Sequence, residues 1–183
     1  RPPPPDVGGD VCVPPRPLFE KQHESDPESR HLVLLCKNET GYRNLSYMVS
    51  QAYIEGFYIR PRIDLDLLRA HSEGLIGLSA CLAGEIPRRI INGDYDGAKT
   101  YALEMRDILG EGNFYLELQD HGIPDQTIVN RALLRMHNET GIPLVCTNDA
   151  HYLRKEDAES HDVLLCIQTG KTVDDENRMR YQP

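Results

Sequence analysis

The run Thr147-Asn148-Asp149-Ala150-His151-Tyr152-Leu153 places a carboxylate and an imidazole two residues apart, directly after the apolar stretch 142–145. On an extended segment, side chains at i and i+2 point to the same side, so Asp149 and His151 are expected to reach into one pocket, as a pair of metal ligands would. A D-x-H pair taken alone is more often a capping aspartate beside a surface histidine, so its meaning depends on the rest of the chain. Cys81 follows the apolar segment 75–80 much as Asp149 and His151 follow 143–146. All three therefore stand at the carboxyl ends of predicted strands, where barrels of alternating strands and helices gather their chemistry. His31 opens its apolar run instead of closing it, and by that rule belongs at the opposite end. Read alone, Cys81 is a small buried hydrophobe like Cys36, Cys146 and Cys166, which are assigned to the core.

The elements that would position these residues are short apolar runs alternating with helical patterns. Val11-Cys12-Val13, Leu32-Val33-Leu34-Leu35, Leu75-Ile76-Gly77-Leu78, Phe114-Tyr115-Leu116-Glu117-Leu118 and Pro143-Leu144-Val145-Cys146 read as strands. Helical spacing of apolar residues runs over 42–54, with Leu45, Met48, Val49 and Ala52, and over 95–109, with Ala98, Tyr101, Ala102, Met105 and Leu109. A third helix opens at Pro124-Asp125 and closes at Gly141, and a fourth spans about 155–167. Such alternation predicts a parallel sheet with right-handed connections, in an amount that makes about half of a barrel. Residues 1–5 are proline-rich and read as irregular; 14–17 and 20–30 read as an exposed loop, and His23 and His71 as surface residues.

The 183 residues fit one domain with a real core, and 39% of them are hydrophobic. A formal net charge of −9 argues against this piece being a main phosphate-contacting surface, because that needs clustered Lys and Arg. Five cysteines, an odd number without CxxC spacing, disfavour a disulfide framework and a zinc ribbon and point to reduced thiols. No apolar run approaches the ~20 residues of a membrane span, and no export signal opens the chain, so a cytoplasmic, membrane-free protein is expected.

Five ordered blocks carry a resemblance. Lys37-Asn38-Glu39-Thr40-Gly41-Tyr42-Arg43-Asn44-Leu45, Glu73-Gly74-Leu75-Ile76-Gly77-Leu78-Ser79-Ala80-Cys81-Leu82-Ala83-Gly84-Glu85-Ile86-Pro87 and Phe114-Tyr115-Leu116-Glu117-Leu118-Gln119 precede the Asp149/His151 segment. His161-Asp162-Val163-Leu164-Leu165-Cys166-Ile167-Gln168-Thr169-Gly170-Lys171-Thr172 follows it. Together they closely resemble the PHP (polymerase and histidinol phosphatase) domain of bacterial DNA polymerase III alpha subunits, from about Gly8 to the C-terminus. The resemblance implies an α/β fold: a distorted β/α barrel of the PHP type, incomplete, comprising about the second half of the barrel. It implies residues 8–170 as the partial PHP domain after an irregular 1–7, and 171–183 as a connector toward a polymerase palm.

The family's metal cluster, carried over residue by residue, implies His31, Cys81, Asp149 and His151 as ligands, while Asp10 falls where many relatives have a bridging Glu. His31, Cys81 and Asp10 would hold one metal, Asp149 would serve a second and His151 a third. His121 and His161, which recur in family-like blocks, would stand behind the ligands. The family's His-x-His and Asp-His-Gly segments do not occur before Asp10, so only the first set is expected complete. Zn²⁺ suits this mixture of N, S and O ligands, with Mn²⁺ or Fe²⁺ as alternatives in an intact cluster and Mg²⁺ expected at the polymerase site of the parent. The resemblance implies that the parent is a DNA-directed DNA polymerase, a nucleotidyltransferase of DNA replication, with no polymerising residues in this piece and an inactive fragment. The alternatives are a metal-dependent phosphoesterase with 3′–5′ exonuclease activity, or a non-catalytic scaffold. The partners implied are the remaining polymerase domains, DNA through them, a proofreading exonuclease subunit and a sliding clamp.

Overall fold

A computed structural model describes residues 8–13, 30–58 and 60–180. The expectations for residues 1–7, 14–17 and 20–29, His23 among them, lie outside the described residues, as do the last three residues of the expected connector. The chain divides into two compact units, Arg1–Thr147 and Asn148–Pro183.

Among the described residues, the first unit is a mixed α/β structure around one open five-stranded sheet. Its strands are β1 (Gly8–Cys12), β2 (His31–Cys36), β3 (Leu75–Leu78), β4 (Phe114–Leu118) and β5 (Leu144–Cys146), and they lie side by side in chain order. Its helices are α1 (Glu39–Ile54), α2 (Leu65–Ala70), α3 (Glu85–Ile91), α4 (Tyr95–Leu109) and α5 (Pro124–Thr140). Strand alternation sorts the side chains. Val11, Leu32, Leu34, Leu75, Phe114 and Leu116 point to one face, where they form the core with Met48 and Ala52 of α1, Ala98, Ala102 and Met105 of α4, and Val129, Leu133 and Met136 of α5. The cross-strand register places Asp10, Cys12, His31, Val33, Leu78, Tyr115, Glu117 and Val145 on the opposite face.

The expectation of a wholly parallel sheet is corrected. β3–β4 and β4–β5 pair parallel, but β1–β2 and β2–β3 pair antiparallel. The reason is the number of return passes. Between β4 and β5 the chain crosses back once, through α5. Between β2 and β3 it crosses twice: α1 starts beside the end of β2, the Ile63 amide donates to the Cys12 carbonyl at the far end (3.0 Å), and the chain returns by α2 until the Lys37 amide meets the Gly74 carbonyl (2.8 Å). An even number of passes reverses the next strand.

Local chemistry sets the helix ends. Asn38 caps α1 by accepting from the Gly41 amide (3.0 Å), Asp64 caps α2 through the Leu67 amide (2.9 Å), and Asp94 caps α4 through the Gly97 amide (2.9 Å). α5 begins on Pro124 and ends at Gly141, whose φ of 73° is left-handed. The Asn-Glu-Thr-Gly-Tyr-Arg-Asn-Leu block thus has a packing role. Its Asn38 caps, its Asn44 donates to the Glu73 carbonyl (2.9 Å), and its Gly41 lets the turn at Gly74 press onto the helix.

In the second unit, a single 3₁₀ turn (Lys155–Asp157) leads into α6 (Ala158–Thr169), which Gly170 closes with φ 65°. The segment after α6 folds back on it. The Arg178 guanidinium forks onto the Asp162 carboxylate and donates to the Val173 carbonyl (3.1 Å), holding the Asp162 carboxyl below its ordinary range. Among the described residues, no helix is long and apolar enough to cross a membrane.

Candidate functional site

The antiparallel β2 settles where His31 stands. Since Val33 pairs with Leu78, the start of β2 comes level with the end of β3; the His31 amide donates to the Ala83 carbonyl (3.2 Å), and His31 bridges to Gly84. His31 and Cys81 therefore occupy the same end of the sheet, whereas a parallel β2 would have set them at opposite ends. Opposite His31 on β1 is Cys12, its direct cross-strand partner, so the two side chains share one face. Asp10 is two residues further along, opposite Val33 and exposed. Among the described residues, no three His, Cys, Asp or Glu side chains gather closely enough to hold a metal ion. No disulfide joins any of the five cysteines; Cys166 is buried and Cys36 half-buried, but Cys146, assigned to the core from sequence, is exposed at the end of the edge strand β5.

At this same end sits an acid that the sequence reading passed over. Glu117 of β4 is only 6% exposed. One carboxylate oxygen, Oε1, accepts a short hydrogen bond from Thr147 Oγ1 and a second from Gln119 Nε2 (3.2 Å), and Gln119 Nε2 also reaches Thr147 Oγ1 (3.2 Å). The Glu117 amide donates to Ser79 Oγ (2.8 Å), tying β4 to the end of β3, and Asn130 Nδ2 of α5 donates to the Gln119 carbonyl (2.9 Å). The other oxygen, Glu117 Oε2, is buried without a hydrogen-bond donor. Beside it lies a cavity of about 10 Å³, walled by Ala80, Cys81, Leu82 and Pro87 and by Glu117, Gln119, Gln126, Val129 and Asn130. Of the chemistry a metal would need, these donors fit: a thiol, an orphaned carboxylate oxygen and amide oxygens. A far larger hollow of about 600 Å³ is an open trough between α2 and α4, lined by residues such as Arg69, Glu104 and Asp107, and it draws no side chain from a strand end.

His121, expected behind the ligands, engages Gln126 through both its ring and its backbone. Its amide donates to Gln126 Oε1 (2.7 Å), and its Nδ1 accepts from Gln126 Nε2 (2.8 Å), which fastens the loop before α5 to the helix.

In the second unit, the premise of an extended Asp149/His151 segment does not hold. Asp149 takes φ 45°, and a left-handed residue breaks the alternation that would point both side chains one way. His151 Nδ1 instead donates to the Asp149 carbonyl (2.7 Å), an arrangement common in metal-binding histidines. His161 of α6 lies against this segment, its ring 5.8 Å from that of His151 and 5.3 Å from that of Tyr152.

The chain belongs to the PHP domain family, whose pattern matches residues 7–121. It is 48% identical to the DNA polymerase III subunit alpha of Borreliella burgdorferi over 90% of its length, and 43% identical to that of Treponema pallidum over 96%. The same subunit of Thermus aquaticus is 48% identical over 82% of the chain. The chain spans 14%, 15% and 12% of these relatives, so what it matches is their PHP region.

Proposed function

We propose that this chain is the PHP portion of a replicative DNA polymerase III alpha subunit, in which DNA synthesis is carried out by other parts of a longer polypeptide using Mg²⁺. The observation that carries this is identity of 43% or more to two such subunits across at least nine-tenths of the chain. A polypeptide of the relatives' full length containing this sequence should extend a primed template, and the 183-residue chain alone should not. Primer extension by the chain alone would overturn the reading.

Within that role, we infer that the PHP portion holds a metal ion, with His31 and Cys81 as ligands at the strand ends, and Asp10, Asp149 and His151 as the further candidates. Thiolate, imidazole and carboxylate together suit zinc, with Mn²⁺ or Fe²⁺ the ions to test next. Such an ion would activate water and neutralise phosphate charge in a 3′–5′ exonuclease-type hydrolysis. The His151 Nδ1 bond to the Asp149 carbonyl supports this reading, because a backbone carbonyl on one ring nitrogen is a common way of orienting a histidine whose other nitrogen ligates a metal. Nucleotide release from DNA 3′ ends that persists undiminished in Asp149→Asn would count against it.

The competing reading is a docking scaffold for a separate proofreading exonuclease subunit. It is favoured by the outer face of α1 and the turn after it, where Tyr42, Val49, Tyr53 and Phe57 recur every four to seven residues and are all exposed. Co-purification of such a subunit that is lost in Tyr53→Glu would support docking.

A further inference from the structure

We propose that the cavity between Glu117 and Cys81 is a binding site for one divalent cation of borderline softness, zinc being the type, with Glu117 as a ligand. This extends the metal-binding reading above by a residue outside the set drawn from the family resemblance. The first ground is the two-sided state of the carboxylate. Thr147 and Gln119 hold Oε1, while Oε2 is buried and bare. Metal-bound carboxylates are held in this way, with hydrogen bonds fixing the group from behind and one oxygen left for the ion.

The second ground is charge. Glu117 makes no ion pair among the described residues, and burying carboxylate charge without a counter-charge is strongly unfavourable. A water molecule in the cavity would satisfy a lone pair and leave that charge uncompensated. A cation compensates it. The third ground is what else reaches the cavity. Cys81 supplies a thiol that becomes a thiolate on binding, its proton passing to solvent. The Gln119 and Asn130 side chains spend their amide NH₂ groups on Glu117, Thr147 and the Gln119 carbonyl, so their side-chain oxygens remain as acceptors. The volume of about 10 Å³ admits a single small particle, which an ion matches and an organic ligand does not.

The test uses the chain as it stands, with Zn²⁺ and Co²⁺ as probes. Crystals soaked in Zn²⁺ should show an anomalous-scattering peak within about 2.0–2.2 Å of a Glu117 carboxylate oxygen and about 2.3 Å of Cys81 Sγ. In solution, Glu117→Gln, which keeps the shape and the acceptor for Thr147, should weaken Zn²⁺ binding at least tenfold. Cys81→Ser should abolish the near-ultraviolet thiolate band of the Co²⁺ form. A peak beside His31 and Asp10 but away from Glu117, with unchanged affinity in Glu117→Gln, would overturn this inference and leave the broader metal-binding reading intact. No metal uptake by the folded parent chain would overturn both. The crystallographic arm does not depend on any variant folding.

Discussion

At Gly41 the fold leaves no room for a side chain: a Cβ there would lie 2.0 Å from the Gly74 carbonyl oxygen, with Gly74 itself held at φ 77°. The three nearest atoms are all backbone of Gly74, so no flexible side chain can yield. Gly41→Ala should therefore destabilise the chain by about 1–3 kcal/mol, the usual cost of overpacking. Urea unfolding should show this as a lower midpoint with an unchanged slope. An unchanged midpoint would mean that the turn before β3 can move away from α1. Asp10 shows the opposite case. It is exposed on β1 and opposite Val33, and its substitution by Asn should leave stability within about 0.5 kcal/mol, so any loss of metal binding in Asp10→Asn would report ligation and not folding.

Helices α4 and α5 are joined at Glu139. Its carboxylate accepts from Lys99 (2.8 Å) and Tyr95 (3.1 Å) of α4 and from Arg135 (2.6 Å) of its own helix, while the Arg135 guanidinium lies over the Tyr95 ring (4.1 Å). The hydrogen bonds from Lys99 and Arg135 pull the Glu139 carboxyl down from 4.5 to about 2. A folded-state value below the unfolded one contributes stability that is complete above the unfolded value and is lost as pH falls through the folded one. The stabilisation from Glu139 should thus be present above about pH 4.5 and fade toward pH 2. Solvent exposure of the group keeps the effect modest. Glu139→Gln should lower stability at neutral pH and flatten its decline over that interval. Parallel acid-unfolding curves for parent and variant would show that the α4–α5 contact does not depend on this charge.

On the scale of the whole chain, 29 acidic against 20 basic residues leave a net charge of −9, with a sequence pI near 5.2. Phosphate binding releases counterions only where Lys and Arg cluster, so this chain should not hold DNA by itself. Titration of labelled duplex into the chain at physiological salt should give no binding tighter than about 10⁻⁴ M, the weak limit of ordinary non-specific association. Tight, salt-sensitive binding would require a basic surface formed in spite of the overall charge.

The sequence by itself determined the elements whose signals are local. Caps and termini marked α5 from Pro124 to Gly141, the 3.6-residue spacing marked α4 at the bounds observed, and the short apolar runs marked every strand of the sheet. It also placed Cys81 at a strand end, because that needs only the order of residues. The six-residue α2 and seven-residue α3 went unread, being too short for an apolar period to repeat. Strand direction was decided by the tertiary structure, since a period of two fixes which face a side chain takes and not which way the strand runs. That direction moved His31 to the end of the sheet where Cys81 stands. The left-handed turn at Asp149 and the exposure of Cys146 were likewise tertiary outcomes. Glu117 is the clearest instance: nothing in Phe-Tyr-Leu-Glu-Leu singles it out, and only the packing of Thr147, Gln119 and Cys81 around it makes that position a buried, half-satisfied carboxylate. Burial depends on what distant segments bring to a residue, and one strand's sequence carries no record of its neighbours.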